Sequence, residues 1–227
     1  MKQDKNLTAI FLTNNEVPKQ WAEFHKKCLL EALDGAPLIT MSRVPMDLGI
    51  NVLQDAPKSL SNIYRQLLRG AKLAKTDYIA VVEDDSLYPK EHFLQRPNKN
   101  KIGYNMNHWS LFTWGTPTYS WRNRRGNYSM LSSRKLVIEA LEERFNKYPK
   151  GTPENITGEI GRAMVERNMG ITLRDVEEFE TTVSIINFNH SNASDRLQLK
   201  QRKSLGEIQA FDIPHWGKAS ELIKKWI

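Results

Sequence analysis

Three consecutive carboxylates, Glu83, Asp84 and Asp85, close the apolar run DYIAVV at residues 77–82. Like charges so placed repel one another unless a cation or water offsets them. Hard divalent ions such as Mg²⁺ and Mn²⁺ take oxygen ligands and often bridge a protein carboxylate to substrate phosphates. On an extended segment residues i and i+2 share a face. Glu83 and Asp85 are therefore expected to pair, with Asp84 on the other face. The plain alternative is a solvated strand end ahead of the turn formers Ser86 and Pro89. Two late histidines, His190 in FNHSN and His215 in IPHWGK, are of a type that completes an Mn²⁺ site, although a lone histidine is as readily a core or surface residue.

The elements that must position these groups follow from periodicity. Residues 7–13 (LTAIFLT), 37–42 (PLITMS) and 78–82 read as short buried strands. Between them, 17–33 has Pro18 in a first-turn position and Trp21, Phe24, Cys28, Leu29 and Leu33 at helical spacing. A second helix is expected over 59–76, with Ile63, Leu67, Leu68, Ala71 and Ala74 on one face. Strands alternating with helices imply βαβ units and a parallel sheet, whose ligands bind at the carboxyl ends of the strands. The acidic triplet falls at one such end. Beyond residue 100 the pattern predicts irregular strands over 101–121, helices over 132–148 and 156–170 with Gly170 as a cap residue, a strand over 181–189, a basic surface loop at 196–203 and a short amphipathic C-terminal helix.

The segment SLSNIYRQLLRGAKLAKTDYIAVVEDDSLYPKEHF (59–93) resembles the helix, strand and acid motif of GT-A glycosyltransferases, particularly family-2-like members. The resemblance implies an α/β fold of Rossmann-like type, with a mostly parallel central sheet flanked by helices. It also implies one domain over 1–227, with about 1–100 binding a nucleotide-sugar and about 101–227 elaborated for the acceptor. In that motif the acids hold the metal of a nucleotide-sugar; Asp85 matches the last, metal-contacting acid, and Glu83 stands where the pattern has Asp. ITGEIGRAMVERNMG (156–170) is similar to the family's downstream acid-helix motif, which makes Glu159 the catalytic base of inverting transfer. On its residues alone, Glu159 is a helix-start acid with Thr157 as its cap. The resemblance further implies His190 as third metal ligand, with His215 a weaker rival. It places Thr13, Asn14 and Asn15 against base and ribose, Arg43, Arg65 and Asp84 at the donor, and Arg202 and Lys203, with Arg196 and Lys200, as a basic lid. The cofactors implied are Mn²⁺ or Mg²⁺ and a nucleoside-diphosphate sugar, by preference a UDP-sugar.

Composition narrows the partners. The 227 residues are 40% hydrophobic and carry a net charge of +7, which suits a polyanion or a nucleotide. No run approaches the roughly 18 apolar residues of a membrane span, and the N-terminus lacks a signal-like stretch, so a cytoplasmic protein is expected. A single cysteine, Cys28, excludes an internal disulfide framework. Trp109, Trp114 and Trp121, followed by Arg122, Arg124 and Arg125, either pack a smaller sheet, stack sugars, or hold bases and phosphates. Compact length and basic charge resemble phage-type enzymes that glycosylate hydroxymethylated pyrimidines in double-stranded DNA, acting in a host cytoplasm. The alternatives are a saccharide or glycolipid acceptor of a cell-surface polymer, a nucleotidyltransferase, and a non-catalytic nucleic-acid binder. A nucleotidyltransferase calls for a glycine-rich basic loop after the first strand, which LTNNEVPK lacks.

Overall fold

The computed structural model describes residues 6–190 and 206–227. In chain order its elements are β1 (Leu7–Leu12), α1 (Lys19–Leu33), β2 (Leu38–Ser42), β3 (Ile50–Leu53), α2 (Leu60–Leu73), β4 (Tyr78–Glu83), β5 (Ser86–Leu87) and α3 (Lys90–Leu94). The second half adds β6 (Ile102–Asn105), β7 (His108–Phe112), β8 (Tyr119–Trp121), β9 (Leu131–Ser133), α4 (Arg134–Lys147) and α5 (Ala163–Met169). It ends with β10 (Val176–Phe179), β11 (Ile185–Asn189), β12 (Ile208–Ala210), β13 (Asp212–Ile213), β14 (Gly217–Lys218) and α6 (Ala219–Ile223).

The central sheet has the order β3-β2-β1-β4-β9; its first four strands are parallel and β9 runs antiparallel to β4. All six residues of β1 are buried. The reason lies in the two faces: Leu7, Ala9 and Phe11 meet α1 through Leu29 and Leu33, while Ile10 and Leu12 meet α2 and α4 through Leu67, Ala71 and Leu141. A sheet covered on both sides reads as a continuous apolar run rather than an alternation. Gly70 permits the close approach of α2, since a Cβ there would lie 2.6 Å from Ile10 Cγ2. The expected α/β architecture, a mostly parallel sheet flanked by helices, is what the chain forms.

A second sheet, β12-β8-β7-β11-β5, grows from the end of β4, and β6 pairs in parallel with β10. Its inner face, with Leu87, Leu111, Tyr119, Ile186 and Phe188, packs on Trp21 of α1 and on Trp226. Among the described residues, no helix is long and apolar enough to cross a membrane.

Two expected elements differ, and one strand is new. The edge strand β3 was not anticipated, because Ile50 and Leu53 are exposed there and no apolar pattern marks it. The fourth helix starts at Arg134, since Ser132 and Ser133 are drawn into β9 against Tyr78 and Ile79. The helix expected over 156–170 is only its last half. A 3-10 turn at Glu154–Ile156 leads into an irregular stretch where Gly161 takes φ 75°, and α5 begins at Ala163 with Arg162 at its N-cap. Gly170 does cap that helix, at φ 60°. Thr157 caps nothing; its hydroxyl donates to the Pro153 carbonyl at 2.8 Å.

Candidate active site

β4 delivers Glu83 to the carboxyl edge of the parallel sheet, and the chain turns at Asp84-Asp85 into β5. That turn cancels the i, i+2 alternation, so all three carboxylates line one cavity between β1, α2 and β4. α1 pins the turn from below. Trp21 Nε1 donates to the Asp84 carbonyl at 2.7 Å, and His25 Nε2 lies 2.9 Å from the Ser86 carbonyl. Asp84 is not turned away: its carboxylate accepts the Thr13 hydroxyl. Burial above all, then the neighbouring Asp85 charge, pushes its carboxyl up to about 7.

Asp85 is buried, and its two oxygens are differently engaged. Oδ1 accepts from Ser86 Oγ at 3.0 Å and from Asn187 Nδ2 at 3.1 Å. Oδ2 lies 3.6 Å from His190 Nε2. His190 follows β11 and packs on Trp226 at 4.8 Å between ring centroids; Trp226 in turn contacts Trp21 at 5.1 Å. Glu83 is held by Asn127 Nδ2 at 3.0 Å. The rival His215 is exposed on the β13–β14 turn at φ 72°, edge-on to Trp216, and lines neither cavity described here.

Among the described residues, no group of three His, Cys, Asp or Glu side chains gathers to hold an ion unaided. The Asp85–His190 pair still suits Mg²⁺ or Mn²⁺, which commonly take one or two protein ligands and complete their shell with substrate phosphates and water. Asn187, which sequence reasoning missed, fixes Asp85 with one oxygen left toward His190.

The first cavity, about 120 Å³, is lined by Thr13 and Asn14 but by neither Asn15 nor Arg43. Those two brace the loops beneath it. Asn15, at φ 59°, accepts the Arg43 N–H at 2.8 Å, and Arg43 donates to Asn14 Oδ1 at 3.0 Å and to the Ala56 carbonyl at 2.7 Å. Arg65 lines neither cavity. Its guanidinium lies 4.4 Å over Phe145 and donates to the Pro149 carbonyl, while Arg144 reciprocates over Tyr64 at 4.4 Å, so the two arginines clamp α2 to α4. Lys58, also lining the cavity, is tied to Glu16. Arg196, Lys200, Arg202 and Lys203 lie outside the described residues. Unanticipated were three buried carboxamides in the wall, Gln54, Asn62 and Gln66.

A second cavity, about 790 Å³, meets the first at Glu83 and Asp85, which line both. Glu159 lines it, presented by the irregular stretch before α5 and not by a helix start. Its carboxylate is 3.3 Å from Arg162 Nη1. Arg125 pairs with Glu178 at 2.9 Å; Arg122 and Arg124 also line the cavity and have no carboxylate partner among the described residues. The tryptophans lie elsewhere. Trp109 packs on the second sheet's core, Trp114 meets Phe112 edge-on, and Trp121 Nε1 donates to the Met106 carbonyl at 3.3 Å, so none of the three lines the cavity.

No protein-family model matches the chain, and no curated protein does. Among solved structures, a glycosyltransferase involved in the glycosylation of the major capsid of PBCV-1 aligns at TM-score 0.48 and 10% identity, covering 85% of this chain and 98% of that one. A nucleotidyl transferase from Methanothermobacter thermautotroptrophicus aligns at TM-score 0.43 and 14% identity, covering 86% and 99%. The bifunctional IspDF from Campylobacter jejuni aligns at 0.44 and 10%, covering 77% of this chain; the chain spans about half, 49%, of its length. Likeness at this level concerns the course of the chain alone; the chemistry rests on the side chains above.

Proposed function

We propose that the protein is a metal-dependent glycosyltransferase that moves a sugar from a nucleoside-diphosphate sugar to an acceptor hydroxyl. The observation that carries this reading is the pair of cavities meeting at Glu83 and Asp85, one with polar strand ends and carboxylates, the other with Glu159 and arginines. The donor half, about residues 1–100, takes the nucleotide against Thr13, Asn14 and Asp84. Asp85 and His190, supported by Glu83, would hold Mn²⁺ or Mg²⁺, which supplies positive charge to the departing diphosphate. In the acceptor half, about 101–227, Glu159 takes the proton of the acceptor hydroxyl as its oxygen bonds to the anomeric carbon. The bond from that carbon to the diphosphate oxygen breaks with inversion. Asn187 keeps Asp85 oriented, and Arg162 holds Glu159 in the cavity wall.

The favoured acceptor is a hydroxymethylated pyrimidine in DNA, whose phosphates Arg122 and Arg124 would receive. None of Trp109, Trp114 and Trp121 lines the cavity, so what supports this acceptor is the arginines and the net charge of +7. A saccharide or glycolipid is the second acceptor class. Against nucleotidyl transfer stands that Lys58, the one lysine lining the donor cavity among the described residues, is already neutralised by Glu16.

The test is a donor screen that reads released nucleoside diphosphate, with and without Mn²⁺, against hydroxymethylated DNA, unmodified DNA and oligosaccharides. Metal-dependent release that hydroxymethylated DNA stimulates and Asp85→Ala abolishes is the expected result. Stimulation by oligosaccharide alone moves the acceptor to the second class. Transfer that survives both Asp85→Ala and Glu159→Ala overturns the mechanism.

A further inference from the structure

The carboxamides in the wall of the first cavity form a relay whose direction is fixed from outside. Arg69, on the exposed side of α2, donates from Nη1 to Gln66 Oε1 at 2.7 Å. Gln66 Nε2 donates to Asn62 Oδ1 at 2.8 Å, and Asn62 Nδ2 donates to Gln54 Oε1 at 3.1 Å. A carboxamide oxygen and nitrogen are ordinarily interchangeable by a flip of the group. Here the flip is forbidden. A guanidinium has donors and no acceptor, so Gln66 must turn its oxygen to Arg69, and each following amide inherits that sense. All three carboxamides are buried, between 6% and 8% exposed, and the backbone N–H of Gln54 is anchored on the Ser42 carbonyl at 2.9 Å. Gln54 Nε2 ends the relay. Among the described residues it has no hydrogen-bond partner, and its side chain borders the cavity beside Met41.

We infer that this relay makes the first cavity selective for a base that turns an oxygen at its position 4 to Gln54, a uracil nucleotide over a cytosine nucleotide. The inference rests on reading that cavity as the nucleotide site. The two pyrimidines have nearly the same shape, and uracil, like thymine, presents an oxygen acceptor at position 4 where cytosine presents an amino donor. With its oxygen held by Asn62, Gln54 meets uracil donor to acceptor and cytosine donor to donor. A buried polar group left unmatched discriminates more strongly than a missing methylene does, because its desolvation goes uncompensated.

Binding of UDP and of CDP, each with MnCl₂ present, is to be measured by calorimetry on the full chain. UDP is expected to bind about ten- to a hundredfold more tightly. Arg69→Glu is the diagnostic variant, since the residue is exposed and its replacement can only accept. The glutamate draws Gln66 Nε2 to itself, the relay reverses, and Gln54 turns its oxygen to the cavity. The preference is then expected to fall at least tenfold, toward CDP. Gln54→Glu, which offers oxygen alone, should lose the UDP preference without needing the relay. Equal binding of UDP and CDP to the unaltered chain overturns the inference and leaves the nucleotide site standing. An undiminished preference in both variants overturns it as well. Failure of UDP and CDP alike to bind overturns the reading of the cavity and the inference with it.

Discussion

Replacing His92 with phenylalanine should make the protein more stable, and increasingly so as the pH falls. His92 is fully buried on α3, stacked on Phe179 at 6.2 Å and edge-on to Phe93 at 5.2 Å, and neither ring nitrogen has a hydrogen-bond partner among the described residues. Burial alone pushes its pKa down to about 3. In the unfolded chain the ring titrates near 6.5, so between those values the unfolded state binds a proton that the native state refuses. Stability is therefore complete above pH 6.5 and is lost as the pH falls. At pH 5, about 1.5 pH units below the unfolded value, the loss is about 2 kcal/mol for this one residue. His25 and His108, both lowered to about 4 chiefly by burial, lose a similar amount each. Together the three come to about 6 kcal/mol, within reach of the roughly 5–15 kcal/mol that holds a typical domain folded. Phenylalanine keeps a planar aromatic ring, somewhat larger than imidazole, and removes both orphan nitrogens, for a gain of about 1–3 kcal/mol at pH 7, less the cost of fitting the larger ring, and about 2 more at pH 5. Urea unfolding followed by tryptophan fluorescence at the two pH values reads both figures. A His92→Phe protein less stable than its parent at pH 7, with the same pH dependence, would show that the nitrogens are satisfied and that the reasoning is wrong.

The other predictions concern the site. Asn187→Ala frees Asp85 Oδ1 and should weaken Mn²⁺ binding about 10- to 100-fold in a metal titration of nucleotide release, with the fold unchanged by circular dichroism. Glu159→Gln should lower kcat by about 10²- to 10⁴-fold while leaving the donor KM nearly unchanged; a rise in KM alone would make Glu159 a binding residue. Gly161→Ala places a side chain at φ 75°, with its Cβ 2.5 Å from Val176 Cγ2. It should cost about 2–4 kcal/mol in chemical denaturation, from the left-handed backbone and the overpacking together, and displace the stretch that presents Glu159.

Which parts of this arrangement the residues announced depends on what each signal measures. Buried strands and amphipathic helices are set by apolar periodicity, so β1, β2 and β4 of the central sheet, α1 and α2 were readable, and so was the acidic end of β4. Periodicity is silent about an exposed edge such as β3, and it cannot see Gly161 turning left-handed inside a helical pattern. Arginines mislead for another reason. Arg65 over Phe145 and Arg43 on Asn14 look, in one dimension, like any arginine near a ligand. The relay did leave a trace. Asn62, Gln66 and Arg69 recur at intervals of four and three, a polar stripe beside the apolar Ile63 and Leu67, and buried carboxamides in such a stripe need partners. Asn187 left less, since INFN reads as an ordinary alternating strand.

The stack of Trp226 on His190, Phe188 and Trp21 ties residues more than two hundred positions apart into one support for the acidic turn. At about 5–20 residues per second, a ribosome making this chain takes roughly 10–40 seconds to pass from Trp21 to Trp226. Once α4 ends at Lys147 the central sheet has all its strands and flanking helices, yet the ring that seats His190 has still not been made. Binding competence is thus acquired late in synthesis, and a nascent chain stalled before residue 226 would be folded in its first half and inert.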